Sequence, residues 1–107
     1  MKVRISDQSL RIRISPAEAQ QLSEGNTLQT HLQLNTIDVF SVTLQSWNLS
    51  IGEVHAEEKS LMLSIPNAAA QDLAHQPGYT FSGEQQNEPS APLKFSVEID
   101  LEKAPQP

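Results

Sequence analysis

The sequence predicts a mainly β (α+β) fold, a pseudo-two-fold duplicated ββαββ barrel or sandwich of about eight strands with two short helices. Three observations predict it. Short runs along most of the chain alternate apolar and polar residues, the period of half-buried strands. Two proline-opened segments interrupt that alternation with helical spacing. Shifting the chain by 51 positions aligns residues 1–22 with 52–73 without a gap. Identities then fall at Val3/Val54, Ser9/Ser60, Leu10/Leu61, Ile14/Ile65, Ala17/Ala68, Ala19/Ala70, Gln20/Gln71 and Leu22/Leu73. An ordered series of matches at one shift is the mark of an internal repeat. The reading is a single domain, 1–107, built of two repeats, 1–50 and 51–101, with a loose tail at 102–107.

The first strand alternates Lys2 and Arg4 with Val3 and Ile5, and Asp7-Gln8 forms a two-residue turn. Leu10, Ile12 and Ile14 then alternate with Arg11 and Arg13. Pairing Ser6 with Ser9 sets Ile5 opposite Leu10, Val3 opposite Ile12, Arg4 opposite Arg11 and Lys2 opposite Arg13. One face of the hairpin is then apolar and the other basic, which pins the register. A helix follows, with Ser15 as N-cap, Pro16 in the first turn and Glu18 completing a capping box. Ala19 and Leu22 share one face, and Gly25 ends it. Two more strands carry Leu28, Leu32 and Leu34, then Phe40, Val42 and Leu44. Trp47 lies between the halves and reads as a core or seam residue.

The second half repeats the scheme. Val54 and Ala56 lead through a Glu58-Lys59 turn to Leu61, Leu63 and Ile65. Pro66-Asn67 opens a helix to about Ala74, and Pro77-Gly78 stops it. Gly78-Tyr79-Thr80 matches Gly25-Asn26-Thr27, Tyr79 and Phe81 start a shorter strand, and Asn87 to Pro92 is a polar loop. Phe95-Ser96-Val97-Glu98-Ile99 matches Phe40-Ser41-Val42-Thr43-Leu44, and Leu101 closes the pattern. True repeats would bury Leu10 and Leu61 alike, and Leu22 and Leu73 alike.

Composition narrows the function classes. The 107 residues include no cysteine, which removes disulfides, zinc-thiolate sites and thiol nucleophiles and fits a reducing, cytoplasmic setting. No run approaches the roughly 18 apolar residues of a membrane span, and Met1-Lys2-Val3-Arg4 has no apolar secretory core. Net charge is −6, yet four of the seven basic residues (Lys2, Arg4, Arg11, Arg13) stand in the first thirteen positions. An acidic chain repels nucleic acid at long range.

Two resemblances follow from these segments. Lys2-Val3-Arg4-Ile5, then Ser9-Leu10-Arg11-Ile12-Arg13-Ile14 and a Ser-capped helix, resembles the opening of a group of small bacterial proteins known only as a domain of unknown function. The likeness covers most of the chain and implies no activity. Ser60-Leu61-Met62-Leu63-Ser64-Ile65-Pro66 followed by Leu73 resembles the strand-to-helix segment of AbrB/MazE-type swapped-hairpin barrels. Ser9 through Leu22 resembles a variant with Ser15-Pro16 in place of Ile-Pro. That likeness implies a pseudo-dimer in one chain and DNA contact through Lys2, Arg4, Arg11 and Arg13. In the second half Glu53, His55, Met62 and Ser64 occupy the corresponding places.

The basic hairpin is therefore the candidate anion or partner contact, through Lys2, Arg4, Arg11 and Arg13. Like charges opposite one another are destabilising, so these residues need anions nearby. Glu98 and Asp100 of a neighbouring strand are the internal candidates, and a ligand or acidic partner is the external one. His31, His55 and His75 share no metal-ligand spacing, and no nucleophile elbow, phosphate loop or Ser/His/Asp set is present. The expectation is an uncharacterised non-catalytic binding module, not an enzyme, with no catalytic residues, metal or cofactor. It would contact an unidentified protein and no membrane, as a monomer or weak homo-oligomer. The alternative is a nucleic-acid-binding regulator of the AbrB/MazE-like type.

Overall fold

The computed structural model describes residues 1–100. The expected tail at 102–107 and the place of Leu101 lie outside the described residues. Ten elements follow one another. The first half runs β1 (Lys2–Ser6), β2 (Ser9–Ile14), α1 (Pro16–Ser23), β3 (Leu28–Gln33) and β4 (Val39–Trp47). The second runs β5 (Glu53–Glu57), β6 (Ser60–Pro66), α2 (Asn67–His75), β7 (Thr80–Gln85) and β8 (Leu93–Ile99).

The strands form two four-stranded sheets, ordered β1-β2-β8-β7 and β3-β4-β6-β5. The sandwich is the form adopted, and the described residues form no closed barrel. Each sheet takes one hairpin from each half, and the two hairpins meet at its centre through a parallel pair, β2 with β8 and β4 with β6. Every residue pairing anticipated for the β1-β2 hairpin is present, from Ser6 with Ser9 to Lys2 with Arg13. Asp7 supplies the turn's positive φ, 51°, a conformation that aspartate tolerates better than most residues.

The helices form where the caps predict. The Ser15 side chain accepts from the Glu18 amide and Glu18 accepts from the Ser15 amide, so both halves of the capping box are made around α1. Residue Pro66 stands at the N-cap of α2 and offers no side-chain cap. Helix α2 runs one residue beyond the expected end, to His75. The helices lie against each other, and the Gln71 amide donates to the Ser23 carbonyl at 2.8 Å.

The core follows the alternation. Leu10, Ile12, Ile14, Leu44, Leu63, Ile65, Phe95 and Val97 are buried between the sheets, with Leu22 and Leu73 of the helices. Leu22 and Leu73 are buried alike, as expected, but Leu61 is only half-buried where Leu10 is fully buried. Trp47 departs from the core or seam reading and is 61% exposed at the end of β4. The correspondence of the last hairpins also shifts. Leu28 pairs with Leu44 and Thr30 with Val42, while Phe81 pairs with Val97 and Gly83 with Phe95. Val42, not Phe40, thus holds the place of Phe95. The shift of 53 that relates Gly25 to Gly78, both at positive φ, runs on through both hairpins.

Candidate functional site

Lys2 and Arg4 on β1 and Arg11 and Arg13 on β2 share the outer face of one hairpin, because residues two apart on a strand point the same way. The structure brings all four around a shallow cavity of about 240 Å³. Residues of β8 reach this face through the parallel register, which sets Arg13 beside Glu98. Glu98 accepts from Arg13 Nε at 2.7 Å and from Arg11 Nη2 at 3.1 Å, and Lys2 Nζ lies 2.8 Å from Asp100. The Arg13 hydrogen bond, with the neighbouring Arg11 charge, outweighs desolvation and holds the Glu98 carboxyl below its ordinary pKa. Both acids named in advance therefore occupy the basic face. Arg4 has no ion pair among the described residues, and it stands directly opposite Arg11.

A second feature was not foreseen. At one side of the sandwich the edge strands β1 and β3 border a cleft of about 310 Å³. Val3, Ile5, Leu32, Phe40 and Val42 supply most of its apolar lining. Ile5 is 63% exposed and Leu32 60% exposed, although strand alternation directs both toward the interior. Beyond β3 the loop presents Leu34 and Ile37 to solvent, with Ile37 82% exposed. That loop is held in shape. Asn35 Oδ1 accepts from the amides of Ile37 and Asp38, the Leu34 amide donates to the Asp38 carbonyl, and Asp38 pairs with Lys59. A signal for this surface was available in the sequence, since Leu32, Leu34, Ile37, Val39 and Phe40 put five large apolar residues in nine positions around a loop. Of these, Leu32, Leu34 and Phe40 fit strand alternation, which assigns them to a buried face.

At the opposite side, β5 and β7 close the sandwich. Gln85 Oε1 accepts from the Val54 amide at 2.8 Å, and Gln85 Nε2 donates to the Val54 carbonyl at 3.2 Å. Phe81 and Phe95 stack with centroids 6.1 Å apart, and Gly52 and Gly83 lie against their rings.

A further cavity, about 430 Å³, lies at the end of α2 beside Leu73, Pro77, Tyr79 and Ile99. Burial, aided by the Asp72 charge, pushes the Tyr79 phenol pKa up. Among the described residues no group of three His, Asp or Glu side chains could hold a metal ion. No helix among them is long and apolar enough to cross a membrane.

No curated protein and no solved structure matches the chain, so the likeness to the AbrB/MazE-type barrels gains no support from those comparisons. The family model of DUF7009, a family of unknown function, matches residues 1–103. With nearly the whole length covered, the chain belongs to DUF7009.

Proposed function

We propose that this chain is a non-catalytic module that contacts a protein partner at the β1/β3 side of the sandwich. One observation carries the reading: Ile5 and Leu32, exposed on the edge strands β1 and β3, line one apolar cleft, and the hydrogen-bonded loop beyond β3 leaves Leu34 and Ile37 exposed as well. Exposed apolar residues scattered singly need no explanation, whereas a cluster marks an interaction surface. A loop already ordered by Asn35 and Asp38 loses little further freedom on binding, which favours affinity. The non-catalytic part of the reading rests on the sequence, which carries no catalytic motif. The lack of cysteine supports a cytoplasmic setting.

The basic face argues less well for nucleic acid. Glu98 and Asp100 already offset part of its charge, and phosphate binding scales with the number of phosphates neutralised. A photo-crosslinking residue at Ile37 is expected to join the chain to a defined protein in its native host, and the same residue at Glu84 is not. Equal yields at both positions would overturn the reading. So would sub-micromolar binding of duplex DNA at physiological salt.

A further inference from the structure

We propose that the β1 edge is an acceptor for an extended segment of the partner, which adds to the sheet as a fifth strand and alternates apolar with acidic side chains. The proposal rests on the protein-contact reading and names its mode and chemistry.

The argument begins with the direction of backbone groups. In an antiparallel ladder, residue pairs alternate between those that exchange hydrogen bonds and those that do not. The pair that closes a two-residue turn exchanges them. Ser6 with Ser9 closes the first turn, so Arg4 exchanges with Arg11, and Val3 and Ile5 direct their N–H and C=O away from β2. Glu57 with Ser60 closes the corresponding turn, so Val54 directs its own groups away from β6. There the Gln85 amide takes both of them. The register of the hairpins puts Leu32 in the place of Gln85, since Leu32 pairs with Phe40 as Gln85 pairs with Leu93. Leu32 lines the same cleft as Val3 and has no hydrogen-bonding group to offer. Among the described residues, one edge is capped and the equivalent edge is open.

An open edge with apolar neighbours is a template for strand addition, in which backbone bonds supply affinity and alternate side chains supply specificity. The two faces of β1 define those side chains. On the inner side, Ile5, Leu32 and Phe40 frame the apolar cleft, which takes apolar residues. On the outer side stand Lys2 and Arg4, with Arg4 outside the Glu98 and Asp100 pairs, which takes carboxylates. A second copy of this chain fits less well. Symmetric antiparallel pairing of two β1 strands would set Lys2 opposite Arg4 of the second copy if centred on Val3, or Arg4 opposite its own counterpart if centred on Arg4, and like charges across a pair are destabilising.

The test uses the whole chain and two labelled synthetic peptides, one alternating valine with glutamate and one alternating valine with lysine, followed by fluorescence anisotropy. The valine-glutamate peptide is expected to bind at least about tenfold more tightly, and binding should slow hydrogen exchange at the Val3 and Ile5 amides. Leu32→Gln installs the equivalent of the Gln85 cap and should remove binding while leaving the thermal midpoint near that of the wild type. If that variant folds poorly, Ile5→Lys places a charge at the edge and should remove binding in the same way. Arg4→Glu should reverse the preference between the two peptides. Equal binding of both peptides overturns the proposal, as does unchanged binding by a folded Leu32→Gln. A wild-type dimer that Leu32→Gln dissociates would assign the edge to self-association and overturn it as well. A partner captured through Ile37 and retained by Leu32→Gln would overturn strand addition alone, leaving protein contact standing.

Discussion

The β5/β7 and β1/β3 sides of the sandwich are built from the same elements in the same order, and they end differently. At β5/β7, Phe81 and Phe95 fill the space between the sheets, glycines at 52 and 83 make room for their rings, and Gln85 caps the β5 backbone. At β1/β3 the corresponding places hold Leu28, Val42, Met1, Thr30 and Leu32. Smaller residues replace the aromatics, larger ones replace the glycines, and an aliphatic side chain replaces the amide. The exchange is roughly volume-conserving within the core, so both sides pack, but only one retains a polar group able to satisfy its edge. Between two sides with matching strand pairings, Gln85 caps one edge and the Leu32 side chain has no polar group with which to cap the other.

Substitutions that break the comparison should differ sharply in cost. Phe95 is 3% exposed, and Phe95→Ala should lower stability by about 3–5 kcal/mol, the largest effect expected here. Val42→Ala, at the corresponding place, removes fewer atoms and should cost clearly less in the same denaturant titration. If the two cost the same, the aromatic pair is not what closes the β5/β7 side.

Gly83→Ala comes next. A Cβ there would lie 2.7 Å from the Phe95 ring, and overpacking of this kind costs about 1–3 kcal/mol. The double change Gly83→Thr with Phe95→Val recreates the Thr30–Val42 pair and should be less destabilising than the sum of its parts. Simple additivity in a thermal or denaturant cycle would show that the two sites are not coupled.

Gln85→Leu makes the closed side resemble the open one. It leaves the Val54 N–H and C=O without their partner, at a cost of about 1–3 kcal/mol, and the lower end is expected because Gln85 is only half-buried. The more telling readout is faster hydrogen exchange at Val54, with exchange at Val3 unchanged.

The smallest effect belongs to the basic face. The folded-state pKa of Glu98 is lowered, so its contribution to stability is fully present above the ordinary carboxylate pKa. It is lost progressively as pH falls from that value through the lowered one. Glu98→Gln should therefore flatten the acid limb of the stability–pH curve and leave the neutral region only slightly changed. An unaltered acid limb would show that Arg11 and Arg13 do not hold the carboxylate in solution.

Much of this was legible along the chain. Two-residue turns and strict alternation dictated the β1-β2 register, since a slip by one residue would turn Val3, Leu10 and Ile12 toward solvent. Ser15, Pro16 and Glu18 located the start of α1 because capping is a local interaction. Even the partial neutralisation of the hairpin by Glu98 and Asp100 could be anticipated, because strand alternation put all the groups on one face and acids were the available counterions. The Phe40/Phe95 match misled, because identical residues were aligned where hydrogen-bond register instead pairs Val42 with the place of Phe95.

The sequence by itself determined the local objects: hairpins with their inner faces and registers, two capped helices, and a basic strand face. These depend on contacts between residues near one another in the chain, whose patterns have fixed periods. The tertiary structure alone decided that each sheet joins hairpins from both halves through β2 with β8 and β4 with β6. It also decided that Trp47 and Ile5 are left exposed, and that the Gln85 side chain meets the Val54 backbone while Leu32, in the matching place, lines an apolar cleft. Burial and edge capping depend on which distant segment arrives opposite a residue, and alternation along a strand specifies a face without specifying what covers it.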